Sequence, residues 1–470
     1  MRPAAVIGCA LALAGCMQRS AFVPPPPPVP IVQQPAAETV LPSGPLTATD
    51  AVHLAVARNP DLQATTARIA QARAMLDGTT ASFLPKVGAE VSYLYGNAPS
   101  AYLFKRIDAR SLPANVNFND PGTFSNFEGG AALQWNLFNG GRDVLARWGA
   151  DSAVESAGMA RNAALNTLVM AVVGTYLNAR AAEQLLASDD ATVRTVEAQV
   201  DESRVKVEGG GALRSDLLSL EVRLAEAREQ RLRSETASKL ARAALREILA
   251  LPPDATITLA DSTYSAGELP VTTTDALAEA YRYRPEAAMT RSAVERARMD
   301  LESARRAYLP RVDVLSRVYG DTPSLSDGVK EPNYTVAVAL SIDLFDGGSR
   351  EAAIHRATAV VDELTESDRA ALLAIARDVE TAYLRLDEAK ARHGVAKQAV
   401  GAAAESLRLV TVQFRGGAAT VTRFLEAEGA SARAQTTLIQ AGLDVDRATI
   451  DAQRAVGGLV RSVSDGGNAA

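Results

Sequence analysis

The hydrophobic positions of this chain change period several times, and the changes come twice in the same order. Ala131, Leu133, Trp135 and Leu137 alternate with polar residues, Gln134 and Asn136 among them. Period 2 places successive side chains on opposite faces of a strand. The run ends in Leu137-Phe138-Asn139-Gly140-Gly141, where paired glycines permit a tight turn. Val336, Val338, Leu340, Ile342 and Leu344 alternate in the same way, with Ser341 and Asp343 opposite, and end in Phe345-Asp346-Gly347-Gly348. Gly140, Gly141, Gly347 and Gly348 therefore mark strand-to-helix turns.

No proline occurs from Asp143 to Leu251, nor from Asn333 to the end. Within these tracts the period becomes helical. Leu165, Val169, Val172 and Tyr176 step by four, three and four, and Val193, Val196, Val200 and Val207 keep a seam. Leu372, Ile375, Val379, Ala382 and Leu386 alternate steps of three and four. These are coiled-coil spacings. A helix from Asp143 to Glu208 would be about 100 Å long at 1.5 Å per residue, too long for one globular core. Glycine breaks each tract once, at Gly209-Gly210-Gly211 and at Gly416-Gly417. Glycine is the expected helix stop, and a short turn sends the chain back antiparallel. Each tract thus predicts a helical hairpin with its tip at Gly209 and Gly210, or at Gly416 and Gly417.

The preceding segments repeat as well. A short helix opens at Leu46-Thr47, restarts at Pro60 and stops before Pro85; another opens at Thr274, restarts at Pro285 and stops before Pro310. Alternating strands follow both stops, from Lys86 to Tyr93 and from Arg311 to Val318. Tyr176 and Tyr383, Gly209 and Gly416, and Glu221 and Glu428 are separated by one constant interval, the mark of an internal duplication. The connection from Gly96 to Asn126 is longer than its counterpart and reads as a loop that carries contacts or moves. The predicted organisation is a leader at 1–15, a proline-rich tether at 16–45 and a first repeat at 46–251. The first repeat has a strand hairpin at about 86–138 and a helical hairpin at about 142–250. A connector at 252–273 follows, then a second repeat at 274–461, with strands at about 311–345 and helices at about 349–459, and a disordered tail at 462–470.

The leader begins with Arg2, has a short apolar core from Val6 to Leu13 and ends in Leu13-Ala14-Gly15-Cys16. That core is too short to span a membrane and fits an export signal. The last four residues resemble a bacterial lipobox, which implies a covalent lipid on Cys16. Val6-Ile7-Gly8-Cys9 fits the same loose pattern with too little apolar core before it. An ordinary signal peptide ending in Gly-Cys is the plainer alternative. Met17, rather than Asp, favours the outer membrane by the same resemblance.

Composition removes several classes. The net charge is -6 over 470 residues with signs interspersed, which argues against a nucleic-acid stripe. Both cysteines lie in the leader, so no disulfide framework or cysteine metal site is expected. His53, His355 and His393 are far apart, and no nucleophile elbow or phosphate loop occurs. Neither enzyme chemistry, metal nor cofactor is expected. No stretch after the leader is apolar for long enough to make a transmembrane helix, so any crossing must use strands. Two amphipathic hairpins cannot make a stable sheet alone, but several chains could close a barrel without free edges.

The duplicated Ala-Leu-x-x-x-Leu-Phe-x-Gly-Gly, the restarts Asn59-Pro60 and Arg284-Pro285, and the Leu-Pro-basic-Val strand starts resemble the TolC-like outer membrane efflux proteins. The resemblance covers Leu46 to about Arg461. It implies a mainly α fold with a membrane β part, in which a homotrimer closes a twelve-stranded β-barrel continued by a periplasmic α-helical barrel. It further implies a passive exit duct for small molecules in a tripartite efflux system. Implied partners are a periplasmic adaptor (membrane fusion) protein, a proton-driven or ABC inner-membrane pump, and outer membrane lipid. Acidic residues ring the tips in that family; Asp216 and Glu426 match such positions, while Arg423 stands where an acid is common. Phe414 replaces a tyrosine, and Ala419 replaces an arginine that bridges the tips. Arg423 is thus expected to weaken cation preference. The alternatives are a type I protein secretion duct and a lipid-anchored periplasmic coiled-coil spacer.

Overall fold

The computed structural model describes residues 44–459. The leader, Cys16, the proline-rich stretch before Gly44 and the tail from 462 lie outside the described residues. The described chain forms two units, a strand unit from Ala70–Val154 and Ala293–Leu364, and a helical unit from 44–69, Glu155–Ser292 and 365–459.

The strand unit holds β1 (Lys86–Gly96), β2 (Phe124–Phe138), β3 (Arg311–Thr322) and β4 (Asn333–Ser341) in one antiparallel sheet of order β1-β2-β3-β4. Register aligns Val87 with Leu133, Leu133 with Ser316 and Ser316 with Val336, so one period-2 face runs unbroken across both repeats. Val91, Tyr93, Val318, Tyr334, Val338 and Leu340 share this face, and all six are exposed. The opposite face carries Glu90, Gln134, Glu128, Asp313, Arg317 and Thr335. β1 and β4 are the two edges, and among the described residues neither pairs outward.

Two expectations about these strands need correction. The return strand was expected to run through Ile342, Asp343 and Leu344, but β4 stops at Ser341. Ser341 pairs with Arg311, and Pro310 before it cannot extend the ladder, so β4 has no partner past that point. β2 continues to Phe138 because it is central and pairs with β3 through Val312. The long first connection is not an open loop either. It contains a helix, Pro99–Asp108, and β2 begins at Phe124, before the expected alternating run.

In chain order the helices are α1 (Ala48–Arg58), α2 (Pro60–Thr79), α3 (Pro99–Asp108), α4 (Arg142–Glu208), α5 (Arg214–Ile248), α6 (Thr273–Tyr283), α7 (Pro285–Arg305), α8 (Ser349–Arg415) and α9 (Val421–Val456). Thr47 caps α1 in a reciprocal box with Asp50, and Thr272 caps α6 by accepting from the Asp275 amide. Pro60 and Pro285 open α2 and α7, where a missing N–H costs nothing. α4 and α8 each run 67 residues, about 100 Å.

The seams read from sequence are the cores of the helical unit. Val169, Val172 and Tyr176 are fully buried with Leu245, Leu249 and Ile450 in one cluster. Ile375, Val379, Ala382 and Leu386 pack with α6 and α9 in a second. Each fully buried valine or leucine stabilises the fold by about 1.5–3 kcal/mol before entropy is counted. The connector forms a bridge between Leu46 and Leu259.

Candidate channel elements: the strand face and the helical tips

The exposed apolar face is the first candidate element. Val91 is 79% exposed and Val338 69%, values that a water-soluble sheet would not leave in a continuous row. Among the described residues no helix is long and apolar enough to cross a membrane. An antiparallel sheet with one apolar outer face and one polar inner face is the other structure that hydrocarbon admits, provided its edges close. Trp135 sits at the turn end of the apolar face and donates its indole N–H to the Phe83 carbonyl at 3.0 Å. Tyr93 and Phe127 meet at a tilt near the opposite end, with ring centroids 4.6 Å apart. Aromatic residues at both borders are how membrane barrels meet their interfaces.

The strand-to-helix turns follow. Gly140, Gly141, Gly347 and Gly348 all have positive φ, between 73° and 87°. A side chain at Gly140 would also meet the Arg306 carbonyl at 2.9 Å, so both conformation and space require glycine there.

The helical tips are the second candidate element, and both copies close in the same way. The Gly210 amide donates to the Val207 carbonyl and the Gly211 amide to the Lys206 carbonyl, at 3.0 and 2.7 Å. Gly417 donates to Phe414 and Ala418 to Gln413, at 3.1 and 2.8 Å. This is the Schellman motif, with Gly210 and Gly417 left-handed, each at φ 75°. Gly209 and Gly416 precede them, just past the ends of α4 and α8, and are not left-handed.

Asp216 and Arg423 stand at the same distance from these glycines, so one position carries an acid in one repeat and a base in the other. Asp216 lies half-buried in the first turn of α5, its amide donating to the Leu213 carbonyl at 3.1 Å. Arg423 lies in the first turn of α9, where the Thr420 hydroxyl accepts its amide at 3.2 Å. Its guanidinium reaches Glu426 at 3.6 Å, with both side chains nearly two-thirds exposed (65% and 63%). Such an exposed pair leaves the Arg423 charge available to solvent and ions. Phe414 is placed differently. It stacks on the buried Phe424 at 5.5 Å with Lys206 over its ring at 5.9 Å, and so belongs to the packed base of the tip.

Sequence reasoning missed what ties the two tips together. Val196, Val200, Leu220 and Leu224 of the first hairpin share one apolar cluster with Val410, Val421, Phe424 and Ala427 of the second. Arg223 reaches across to donate to the buried Glu428 at 2.8 Å, and having that carboxylate as acceptor pushes the guanidinium further above its ordinary value. Arg415 pairs with Glu202 at 3.1 Å, and Lys206 donates to the Arg415 carbonyl at 3.3 Å. The available signal was Glu428 itself, an acid one helical turn from Phe424 on the apolar seam.

Among the described residues no cluster of His, Cys, Asp and Glu could hold a metal ion.

Comparison with known proteins agrees with this arrangement. The profile of the family described as "Outer membrane efflux protein" matches residues 51–251 and 276–458, one match per repeat. The "Pyoverdine export outer membrane protein OpmQ" of Pseudomonas putida is 24% identical over 416 residues, covering 86% of this chain and 84% of the relative. The "Alkaline protease secretion protein AprF" of Pseudomonas aeruginosa is 25% identical over 314 residues, covering 66% of this chain and 63% of the relative. The crystal structure of the outer membrane protein VceC from Vibrio cholerae superposes with a TM-score of 0.74 at 17% identity, covering 87% of this chain and 96% of that one. The strands and helical hairpins of both repeats fall within the matched residues, and the chain belongs to the outer membrane efflux protein family.

Proposed function

We propose that three copies of this chain close one barrel and form the passive exit duct of a tripartite system that exports small molecules. As a family member the chain sits in the outer membrane of a Gram-negative cell and serves efflux. The observation that carries the trimeric reading is the pair of free edges. β1 and β4 run in opposite directions, so β4 of one copy can pair with β1 of the next and keep every neighbour antiparallel. Four strands per chain give twelve around a three-copy ring, an even number within the range of such barrels. Closure would satisfy both edges and place the apolar face toward lipid.

A duct has no energy source of its own, so a periplasmic adaptor protein and a proton-driven or ABC pump of the inner membrane would supply it. Catalysis forms no part of this reading. The tips of the helical hairpins, with Asp216, Arg423 and Glu426, would line the periplasmic aperture. A lipid on Cys16, followed by the proline-rich tether, would anchor the chain to the inner leaflet. Mass spectrometry of the mature protein tests the anchor; an unmodified N-terminus, or cleavage elsewhere than before Cys16, refutes it.

Small-molecule export is preferred because the similarity to the pyoverdine export protein covers more of the chain than that to the protease secretion protein. Deletion of the gene should raise retention of exported small molecules and leave the secreted protein profile unchanged. The reverse pattern would assign the duct to protein secretion.

A further inference from the structure

The helix in the first strand connection lies on the polar face of the sheet. The Lys105 ammonium of α3 contacts Glu128 and sits 3.2 Å from Asp321. Glu128 is also paired with Arg317, and the Asn126 amide donates to Asp321 at 2.5 Å. At the end of α3, the Asp108 carboxylate accepts from the Tyr319 hydroxyl at 3.1 Å, and its carbonyl accepts from the Asn333 amide at 3.1 Å. The Tyr102 ring meets Phe124 edge-on at 5.4 Å. Glu128, Asp321, Tyr319, Asn333 and Phe124 all lie on the face opposite the exposed apolar row.

The cover is confined to one end. Asn126, Glu128 and Asp321 are buried, whereas Ala132 and Gln134, further along the same face of β2, are exposed. Charge, rather than apolar packing, holds the helix. Tyr102 is the one buried residue of α3, and the Asp321 Oδ2 atom is buried without a hydrogen bond. Two large apolar residues of α3 are left uncovered, Phe104 at 65% and Ile107 at 45% exposed.

We propose that α3 is a plug inside the loop end of the barrel, where Phe104 and Ile107 from three copies form an apolar gate and the Lys105–Glu128–Asp321 cluster is its latch. The proposal rests on the trimeric reading above, because closure is what turns the polar face into a lumen and brings three copies of α3 to one axis. An apolar constriction in a water-filled pore gates by dewetting. Exit would then be limited by α3 as well as by the helical tips. Among the described residues only the first repeat carries this helix, so a trimer would place three such helices in the mouth rather than six.

The test is single-channel recording of the full-length protein in planar bilayers, with native mass measured on the same preparations. Three variants are compared with wild type: Phe104→Ser with Ile107→Ser, Lys105→Glu, and replacement of 99–108 by a Gly-Ser linker. All three should remain trimeric and conduct several-fold more than wild type. A trimer that conducts only after α3 is altered would be the strongest form of that result. Trimeric variants with wild-type conductance would overturn the plug and leave the duct standing. Elevated conductance in the linker and Phe104/Ile107 variants but not in Lys105→Glu would overturn the latch. A wild-type chain that is not trimeric would remove the reading on which the plug depends.

Discussion

Tyr176 and Tyr383 occupy equivalent positions in the two repeats, and each turns its phenol onto the segment that joins them. The Tyr176 hydroxyl lies 2.6 Å from the Ala260 carbonyl, 2.9 Å from that of Leu46 and 3.2 Å from the Ser262 hydroxyl. The Tyr383 hydroxyl donates to the Pro270 carbonyl at 2.8 Å. Duplication produced the pair, and the connector evolved two different backbone partners for it. Tyr176 is fully buried, and burial pushes its phenol above the ordinary value, so it remains a neutral donor.

The two tyrosines should therefore differ in cost. Tyr176→Phe removes a buried hub and is expected to destabilise by about 2 kcal/mol, against about 1 kcal/mol for the half-buried Tyr383→Phe. Thermal unfolding of the detergent-extracted protein, followed by helical circular dichroism, measures both. Equal costs, or the reverse order, would contradict this reading of the connector.

Arg223 and Glu428 should behave as a coupled pair. Glu428→Gln leaves a partly buried guanidinium with only the exposed Glu226 carboxylate, at 3.4 Å, and should cost about 2 kcal/mol, discounted for the solvent that reaches Arg223. A double-mutant cycle with Arg223→Gln should give a coupling of about 1 kcal/mol or more. Additive losses would mean that the tips are joined by their apolar cluster alone.

Val338 and Ala337 are neighbours on β4 that face opposite ways. Arginine on a lipid face near the middle of a bilayer costs about 2–4 kcal/mol. Val338→Arg should lower the yield of folded protein in liposomes, while Ala337→Arg should fold and narrow the pore. Equal insertion of the two variants would show that the apolar face is not the lipid face.

Arg423 presents a positive charge where its duplicate Asp216 presents a negative one. If the tips line the aperture as proposed, Arg423→Ala should shift ion selectivity toward cations in planar bilayers, because Asp216 and Glu426 would then dominate it. Unchanged reversal potentials would place Arg423 away from the ion path.

Much of the fold could be read from punctuation. Pro60 and Pro285 start helices, Pro85 and Pro310 precede strands, and Gly210 and Gly417 reverse the chain, because each residue permits little else at its position. The seams through Val172 and Val379 were legible because helical period and burial coincide over many turns. Other features depend on distant partners. β4 stops at Ser341 for want of a neighbour, although Ile342 and Leu344 continue the alternation. α3 was hidden because ten residues are too few for a firm periodic signal, with one buried side chain and no side-chain hydrogen bond at its N-cap. The Arg223–Glu428 pair joins residues in different repeats, and nothing local to either tells which acid meets which base. Phe414 sits beside tip residues in the chain but packs against Phe424, a choice set by the cluster around it.

The central claim is that this single four-stranded sheet completes itself with copies of the same chain. Native mass measurement of the detergent-extracted protein, joined to single-channel recording of the same fraction, tests it most directly. The expected result is a trimer that opens discrete, ion-conducting pores, directly or once α3 is replaced. A monomer or dimer that conducts in neither form would contradict it and favour a lipid-anchored helical spacer.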